Sequence, residues 1–491
     1  MSMNVLVASA ECTPLAKAGG LADVVSALTR QWKKHGQNPI IVMPKYRHIN
    51  VDVYGFKPTD LVLYVPMSNW VEFARLWYGQ LPDSDVPVYL IENNDYFNRA
   101  GIYGDPKEYW DNDRRFIFFS RAILESAKAL NFKPDIIHAH DFHAAFTMAF
   151  LKSHYRYDPM FNQTAGVYTI HNLAYQGWFD PGRAMDFSGF GMSQFYPSSW
   201  FEFHGSVNAM KTGLMFADKI TTVSPNYAKE IRLPYFGEGM HDVLNHRSGD
   251  LIGVLNGADY SEWNPETDPD IYKNYDMRTL KNKKENKRSF LKDFGITKPE
   301  DIDKPLLGMV TRLAEQKGID ILMNFLEKHL IADKYRFVLL GSGEKHYEDY
   351  FNYLAMKYPG KSVIYIGYNN KMAHKIIGCS DYLLLPSRFE PCGLTQMYAL
   401  KYGTIPIVRS TGGLADTVFE YSKETQTGTG FVFWHYNAED LDYAIARALA
   451  VYKTYPHWNI IRSNAMKQDY SSERSAFEYL KVFQWALEKV R

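Results

Sequence analysis

Short apolar runs rich in β-branched residues alternate along the chain with longer segments whose apolar positions recur at helical spacing. In the first half the runs are NVLVAS (4–9), PIIVM (39–43), PVYLI (87–91), DIIHA (135–139), AGVYTI (165–170) and KITTV (219–223). The stretch 111–130 puts Phe116, Phe119, Ile123, Leu124 and Ala127 on one stripe, the buried face of a helix. Parallel strands joined by crossover helices produce this alternation. It breaks between Asn256 and Lys304, where NGADYSEWNPETDPD is rich in turn residues and KNKKENKR is basic and poor in apolar side chains. The break reads as an interdomain passage with a hinge inside it and a helix at its flank. Alternation resumes with PLLGMV (305–310), YRFVLLG (335–341), SVIYIG (362–367), DYLLLP (381–386), TIPIV (404–408) and GFVF (430–433). Two doubly wound α/β domains of similar size, facing each other, are expected. The final SSERSAFEYLKVFQWALEKVR has the spacing of an amphipathic helix with a capping serine at its start.

Composition acts mainly by exclusion. A chain of 491 residues exceeds one domain of the usual size. Its 55 Lys and Arg balance 55 Asp and Glu, which leaves no broad basic field for nucleic acid and points to a neutral or small anionic ligand. No run approaches the roughly 18 apolar residues of a membrane span, and the start MSMNVLVASAECTP lacks a basic region followed by a longer apolar one, so a cytosolic chain is expected. Three cysteines, Cys12, Cys379 and Cys392, are too few for a disulfide framework or a zinc cluster. Aromatics make up 15% of the chain, which suits either thick cores or the apolar faces of sugar rings.

The chemistry concentrates at strand ends. KAGGLADVV (17–25) and STGGLADTV (410–418) share GGLAD, each read as a strand-to-helix turn whose glycines admit a ligand and whose helix start attracts anions. In LLLPSRFEPCGLTQ the loop after Pro386 presents Arg388 and Glu390, and Gly393, Leu394 and Thr395 open a helix, a combination suited to a diphosphate beside a polyol. Arg312 and Lys317 in VTRLAEQKG fall at the carboxyl end of a strand, where two cations neutralise the charge that grows on a departing nucleoside diphosphate. The acidic pairs Asp83/Asp85, Asp111/Asp113, Asp268/Asp270 and Asp301/Asp303 read as surface or capping acids rather than metal ligands. HAHDFHAA (138–145) has its acid one place too early for a hydrolase metal site, so polar contacts to a substrate are expected of it. TIHN (169–172) ends a strand with His171 and Asn172, and a core histidine is the bland alternative. GSGEKH (341–346) has His346 where a dinucleotide fingerprint needs its third glycine, and no GxSxG elbow is present.

In order from about residue 4 to 435, KAGGLADVV, HAHDFHA, TIHNLAYQG, VLNGADYSEWNPETD, TRLAEQKG and SRFEPCGLTQMYALKYGTIPIVRSTGGLADTV resemble the bacterial glycogen synthase and plant starch synthase family, glycosyltransferase family 5. The resemblance implies a GT-B fold: a Rossmann-like domain over 1–258 on the acceptor side, a second over 259–465 on the nucleotide-sugar side, a central cleft, and a helix in 466–491 returning to the first domain. It implies transfer of glucose from ADP-glucose to the nonreducing end of an α-1,4-glucan with retained configuration, no cofactor and no metal. A cytoplasmic location, or the plastid stroma for a mature chain, goes with it.

Carried over residue by residue, Lys17 resembles the donor-phosphate lysine, with Gly20 and Asp23 beside it. His171 matches the histidine on the 6-hydroxyl of the transferred sugar, and Asn256 the asparagine beside that sugar. Arg312 and Lys317 match the phosphate cations, Glu390 the essential acid, Leu394 and Thr395 the diphosphate donors, and Tyr368 the ring on adenine. Glu11, Tyr103, Asp141 and Phe142 correspond to acceptor-side residues, with Glu11 expected to face the cleft. Two positions depart from relatives: Phe142 stands where the family usually has Trp, and Tyr398 where many related retaining transferases carry a second glutamate. A pyridoxal phosphorylase and a non-catalytic glucan-binding regulator are the competing readings. The first would need a pyridoxal lysine site, and the chain is short for that family; the second should have lost some charged cleft residues, yet Lys17, Arg312, Lys317 and Glu390 are all present.

Overall fold

The computed structural model describes residues 2–105 and 107–491. The chain divides into two compact units: Met1–Gly257 with Ser472–Arg491, and Ala258–Ser471. Among the described residues no helix is long and apolar enough to cross a membrane.

Unit 1 holds β1 (Asn4–Ala8), β2 (Asn38–Pro44), β3 (Lys57–Met67), β4 (Trp70–Gln80), β5 (Pro87–Glu92), β6 (Ile136–His140) and β7 (Ala165–Ile170), then β8 (Trp178–Phe179), β9 (Glu202–Phe203), β10 (Ser206–Asn208), β11 (Lys219–Thr222) and β12 (Leu251–Gly253). Among the described residues, nine of them form one sheet in the order β12-β11-β7-β6-β1-β2-β5-β4-β3, and β8, β10 and β9 make a small antiparallel one. β1 pairs in parallel with both β2 and β6, and its Val5, Leu6 and Ala8 are fully buried, so the apolar run needs cover on both faces. The chain builds outward from β1 through β2 on one side and from β6 on the other, which puts the reversal of strand order between β1 and β6.

The antiparallel β3–β4 hairpin is a pair of strands that the search for apolar runs passes over. It alternates: Leu63, Val65, Ala74 and Leu76 point inward while Val62, Tyr64 and Phe73 stay exposed, and Tyr64 stands opposite Phe73 with ring centroids 5.4 Å apart. One wet face leaves period-two alternation in place of a continuous apolar run.

Helix α1 (Gly20–Lys34) crosses from β1 to β2, and α2 (Asn112–Ala129) buries the predicted stripe. In unit 2, β13 (Leu306–Val310), β14 (Arg336–Gly341), β15 (Ser362–Ile366), β16 (Tyr382–Leu385), β17 (Ile405–Arg409) and β18 (Phe431–Phe433) pair in parallel in the order β15-β14-β13-β16-β17-β18. Numbered from its own first strand this is 3-2-1-4-5-6, with the reversal between β13 and β16.

The passage expected between Asn256 and Lys304 is instead built into unit 2 from Ala258 onward. Trp263, Ile271 and Tyr275 are buried in one core cluster with Phe290 and Leu291 of α3 (Asn282–Asp293). The basic run is not wholly solvated: Lys283 and Lys287 are each 3% exposed. Lys283 donates to the carbonyls of Ile377 and Gly378 at the end of α4 (Asn370–Cys379) and to Thr404 Oγ1, and Lys287 pairs with Asp381 at 2.6 Å. Spaced four apart, the two lysines share the face that also carries Phe290 and Leu291.

α5 (Thr395–Lys401) and α6 (Gly412–Thr417) follow β16 and β17, and α7 (Ser472–Leu487) belongs to unit 1. There Trp32 Nε1 donates to Ala476 O at 3.1 Å and its ring meets Tyr479 and Phe483, while His35 Nε2 lies 2.7 Å from Glu473.

Candidate active site

In open α/β sheets ligands bind beyond the carboxyl ends of the strands where strand order reverses. In unit 2 that place is the loops after β13 and β16. Lys317 closes a 3₁₀ turn, Glu315–Lys317, and its Nζ lies 2.6 Å from Glu390 Oε2, which also accepts from Ser387 Oγ at 2.9 Å. The two loops are laced by backbone: Arg388 N donates to Gln316 O at 2.9 Å, and Gln316 Nε2 to Phe389 O at 3.2 Å. Gly318 has φ +73°, and a Cβ there would sit 2.1 Å from Pro386 O, so only glycine lets the loops approach this closely. Arg312 is exposed beside them, its guanidinium 3.3 Å from Gln316 Oε1. Leu394 precedes α5 and Thr395 opens it, both half-buried. Tyr368 follows β15 and is 79% exposed, a ring face open to a partner.

In the second GGLAD both glycines are packed closely on protein backbone. A Cβ on Gly412 would lie 1.8 Å from Glu390 O, and one on Gly413 2.3 Å from Cys392 O. These glycines let α6 seat against the Glu390 loop and fix where that acid stands. The first GGLAD differs: a Cβ on Gly19 or Gly20 would meet nothing within 4 Å, so this backbone is open. It also lies ten residues beyond β1 rather than directly after it.

In unit 1 the reversal falls between β1 and β6, and the loop after β1 is pinned from within. Glu11, 4% exposed, accepts from the amides of Ala18 at 2.6 Å and Gly19 at 2.9 Å through Oε2, and from the Tyr103 hydroxyl through Oε1. Both of its oxygens are taken up by its own loop and by Tyr103. Lys17 Nζ pairs with Asp23 Oδ1 at 2.8 Å, an oxygen shared with Thr13 Oγ1. Asp141, at φ 54° after β6, accepts from the His171 amide at 2.7 Å, and burial pushes its carboxyl up to about 7. His171 follows β7, with Nε2 2.9 Å from His140 Nδ1. Phe142 is half-buried and packs edge-on against Phe116. Asn256 is buried, with its amide on Val223 O and its Oδ1 lacking a hydrogen-bond partner.

The histidine run is corrected in part. His138 is a core residue: it is fully buried, 2.6 Å from Thr169 Oγ1, with Trp32 and α7 rings packed on it. Burial lowers His138 and His171 to about 3, and His140 and His143 well below their usual value, so all four rings are neutral near pH 7.

The acidic pairs need a second correction. Asp83 and Asp85 are exposed, but Asp111, Asp113 and Asp268 are buried, because Arg99, Arg183 and His374 respectively pair with them. Among the described residues Asp268, Asp270 and His374 are near enough to share an ion. Asp268 is already taken by His374 Nδ1 at 2.8 Å and the Tyr402 hydroxyl at 2.6 Å. Burial works against the charged ring, yet hydrogen bonds to Asp268 and Glu262 carry His374 up to about 9. This is an ion pair under a stack in which Trp263 lies between His374, at 3.7 Å, and Tyr398, at 4.2 Å.

Sequence reading passes over one feature, a cavity of about 420 Å³ in unit 1, lined among others by Lys17, Ala18, Gly101, Tyr103 and Glu108. The glycines flanking Tyr103 in AGIYGD are its only local signal.

Two family descriptions match: starch synthase catalytic domain over residues 4–246, and glycosyl transferases group 1 over 296–464. Glycogen synthase 1 of Geobacter sulfurreducens is 43% identical over 490 residues, covering 99% of this chain and 97% of that one. Glycogen synthase of Thermosipho africanus is 42% identical with full coverage of both. The catalytic domain of starch synthase IV from Arabidopsis thaliana, solved bound to ADP and acarbose, superposes with a TM-score of 0.91 at 33% identity over 99% of this chain and 100% of that one.

Proposed function

The chain belongs to the glycogen and starch synthase family and is a glucosyltransferase that moves glucose from ADP-glucose to an α-1,4-glucan; from that premise we propose how its own residues divide the work. The observation that carries the reading is the Lys317, Glu390 and Ser387 cluster at the strand-order reversal of unit 2.

Arg312 and Lys317 neutralise the diphosphate as the sugar–phosphate bond breaks, Lys17 is a further cation for the phosphates, and Leu394 and Thr395 donate to phosphate oxygens. Tyr368 stacks on the adenine. Glu390, held by Lys317 and Ser387, orients the sugar and stabilises the positive charge that develops at its anomeric carbon. His171, neutral and bonded through Nε2 to His140, turns its remaining ring nitrogen to the 6-hydroxyl, and Asn256 Oδ1 is a second acceptor beside that sugar. The glucan 4-hydroxyl attacks the anomeric carbon on the face the diphosphate leaves. The new glycosidic bond forms as the phosphate bond breaks, and the departing phosphate oxygen takes the proton. The configuration is retained.

The starch synthase it resembles was solved with ADP and acarbose, which favours ADP-glucose over UDP-glucose as donor here. The test is glucose incorporation into glycogen from each nucleotide sugar in parallel. Incorporation and ADP release from ADP-glucose support the reading. Equal or faster transfer from UDP-glucose overturns the donor assignment.

A further inference from the structure

The loop between β1 and α1 carries Lys17 and the open Gly19–Gly20 backbone, yet its shape is set by a side chain buried behind it. Glu11 Oε2 takes both the Ala18 and the Gly19 amide, two consecutive donors converging on one oxygen. Its other oxygen takes the Tyr103 hydroxyl, which comes from a different segment 92 residues away. The Tyr103 ring is fixed in turn, stacked on His143 with centroids 4.4 Å apart and planes at 17°. Burial and the Glu11 carboxylate hold the Tyr103 phenol well above its ordinary pKa, so it remains a donor throughout the working range. Tyr103, Glu108, Lys17 and Ala18 all line the cavity. A ligand in this cavity would therefore touch both the phosphate loop and the ring that braces it.

We infer that Glu11 and Tyr103 are positioning residues for the donor: through the Ala18 and Gly19 amides they fix the Lys17–Gly20 loop, and they couple occupancy of the cavity to the placement of that loop. The inference rests on the reading above, in which Lys17 meets the donor diphosphate. It separates two roles for Tyr103. A plain sugar contact governs the KM for glucan. A brace for the phosphate loop governs turnover of ADP-glucose.

The experiment is steady-state kinetics of full-length Tyr103→Phe, which removes the hydroxyl and keeps the ring on His143, with Glu11→Gln and Glu11→Leu beside it. For Tyr103→Phe, kcat/KM for ADP-glucose at saturating glycogen is expected to fall about tenfold or more, while the KM for glycogen stays within about twofold. Glu11→Gln keeps one carbonyl oxygen for the two amides and is expected to retain more ADP-glucose turnover than Glu11→Leu. Amide hydrogen exchange over residues 16–22 should accelerate in Tyr103→Phe at an unchanged Tm. A rise in glycogen KM with ADP-glucose turnover intact would make Tyr103 a sugar contact and overturn the inference, as would unchanged exchange over 16–22. Wild-type protein that released no ADP would defeat the functional reading instead, and the exchange comparison would still decide the inference.

Discussion

Lys317 and Glu390 show how much of this site depends on single contacts. Their 2.6 Å pair is mostly buried, with side chains 16% and 10% exposed, and the proposed mechanism puts the diphosphate beside it. Lys317→Ala should lower kcat by about 100-fold or more, the scale of removing one preorganised charge-stabilising donor, with a much smaller change in the glycogen KM; initial rates of ADP release check it. Asp141 gives a prediction in stability. Its folded pKa, about 7, lies above the unfolded value, so the proton is held more tightly in the native state. The contribution is fully present below pH 4 and is lost as pH rises toward 7. Asp141→Asn keeps an oxygen for the His171 amide and suits φ 54°, so its Tm should exceed that of the wild type by a margin that widens from pH 5 to pH 8. Sequence spacing made Arg312, Lys317 and Glu390 legible, because each flanks a strand end and the parallel sheet does the rest. It could not show that the Glu11 carboxylate is held by the amides of its own loop, since a carboxylate after a strand looks the same whatever it binds.

At the scale of elements, α7 and α3 illustrate opposite outcomes of pattern reading. The apolar spacing of α7 announces a buried face, and Phe483 fills it against Trp32 and His138. Phe483→Ala should cost about 3–5 kcal/mol in urea unfolding of unit 1, the usual cost of emptying a core aromatic site. In α3 the run KNKKENKR looks solvated because charge runs generally are, but burial follows the helix face rather than the composition. Lys287→Met leaves Asp381 buried without its ammonium and should cost about 3–5 kcal/mol. Replacing Asp381 by Leu in the same chain should recover part of that loss, and a chemical denaturation cycle measures how much. The β3–β4 hairpin stayed illegible for a related reason: its outer face is wet, and alternation over a bulged register between Pro58 and Val62 is a weaker signal than a buried run.

Across the whole molecule the two units repeat one plan, a reversal of strand order with loops that present charge, while His138 and His171 in one answer to pH oppositely to His374 in the other. In unit 1 burial lowers His138 and His171 to about 3, so unfolding takes up protons, and stability present above pH 6.5 is lost as pH falls toward 3. In unit 2 the His374 pKa of about 9 makes its pair with Asp268 fully stabilising below pH 6.5 and lost as pH rises through 9. Calorimetry should find His374→Gln more costly at pH 6.5 than at pH 10, where only the lost packing on Trp263 remains. The zero net charge hides all of this, since 55 Lys and Arg cancel 55 Asp and Glu wherever they stand, the cations Arg312 and Lys317 at the strand ends of unit 2 among them. The central claim is that those cations serve the departure of ADP during growth of an α-1,4-glucan. It is tested most directly by following labelled glucose from ADP-glucose into glycogen with wild-type protein and Lys317→Ala side by side. Rapid incorporation by the wild type and a loss of about 100-fold in the variant is the predicted result; incorporation at equal rates by both would contradict it.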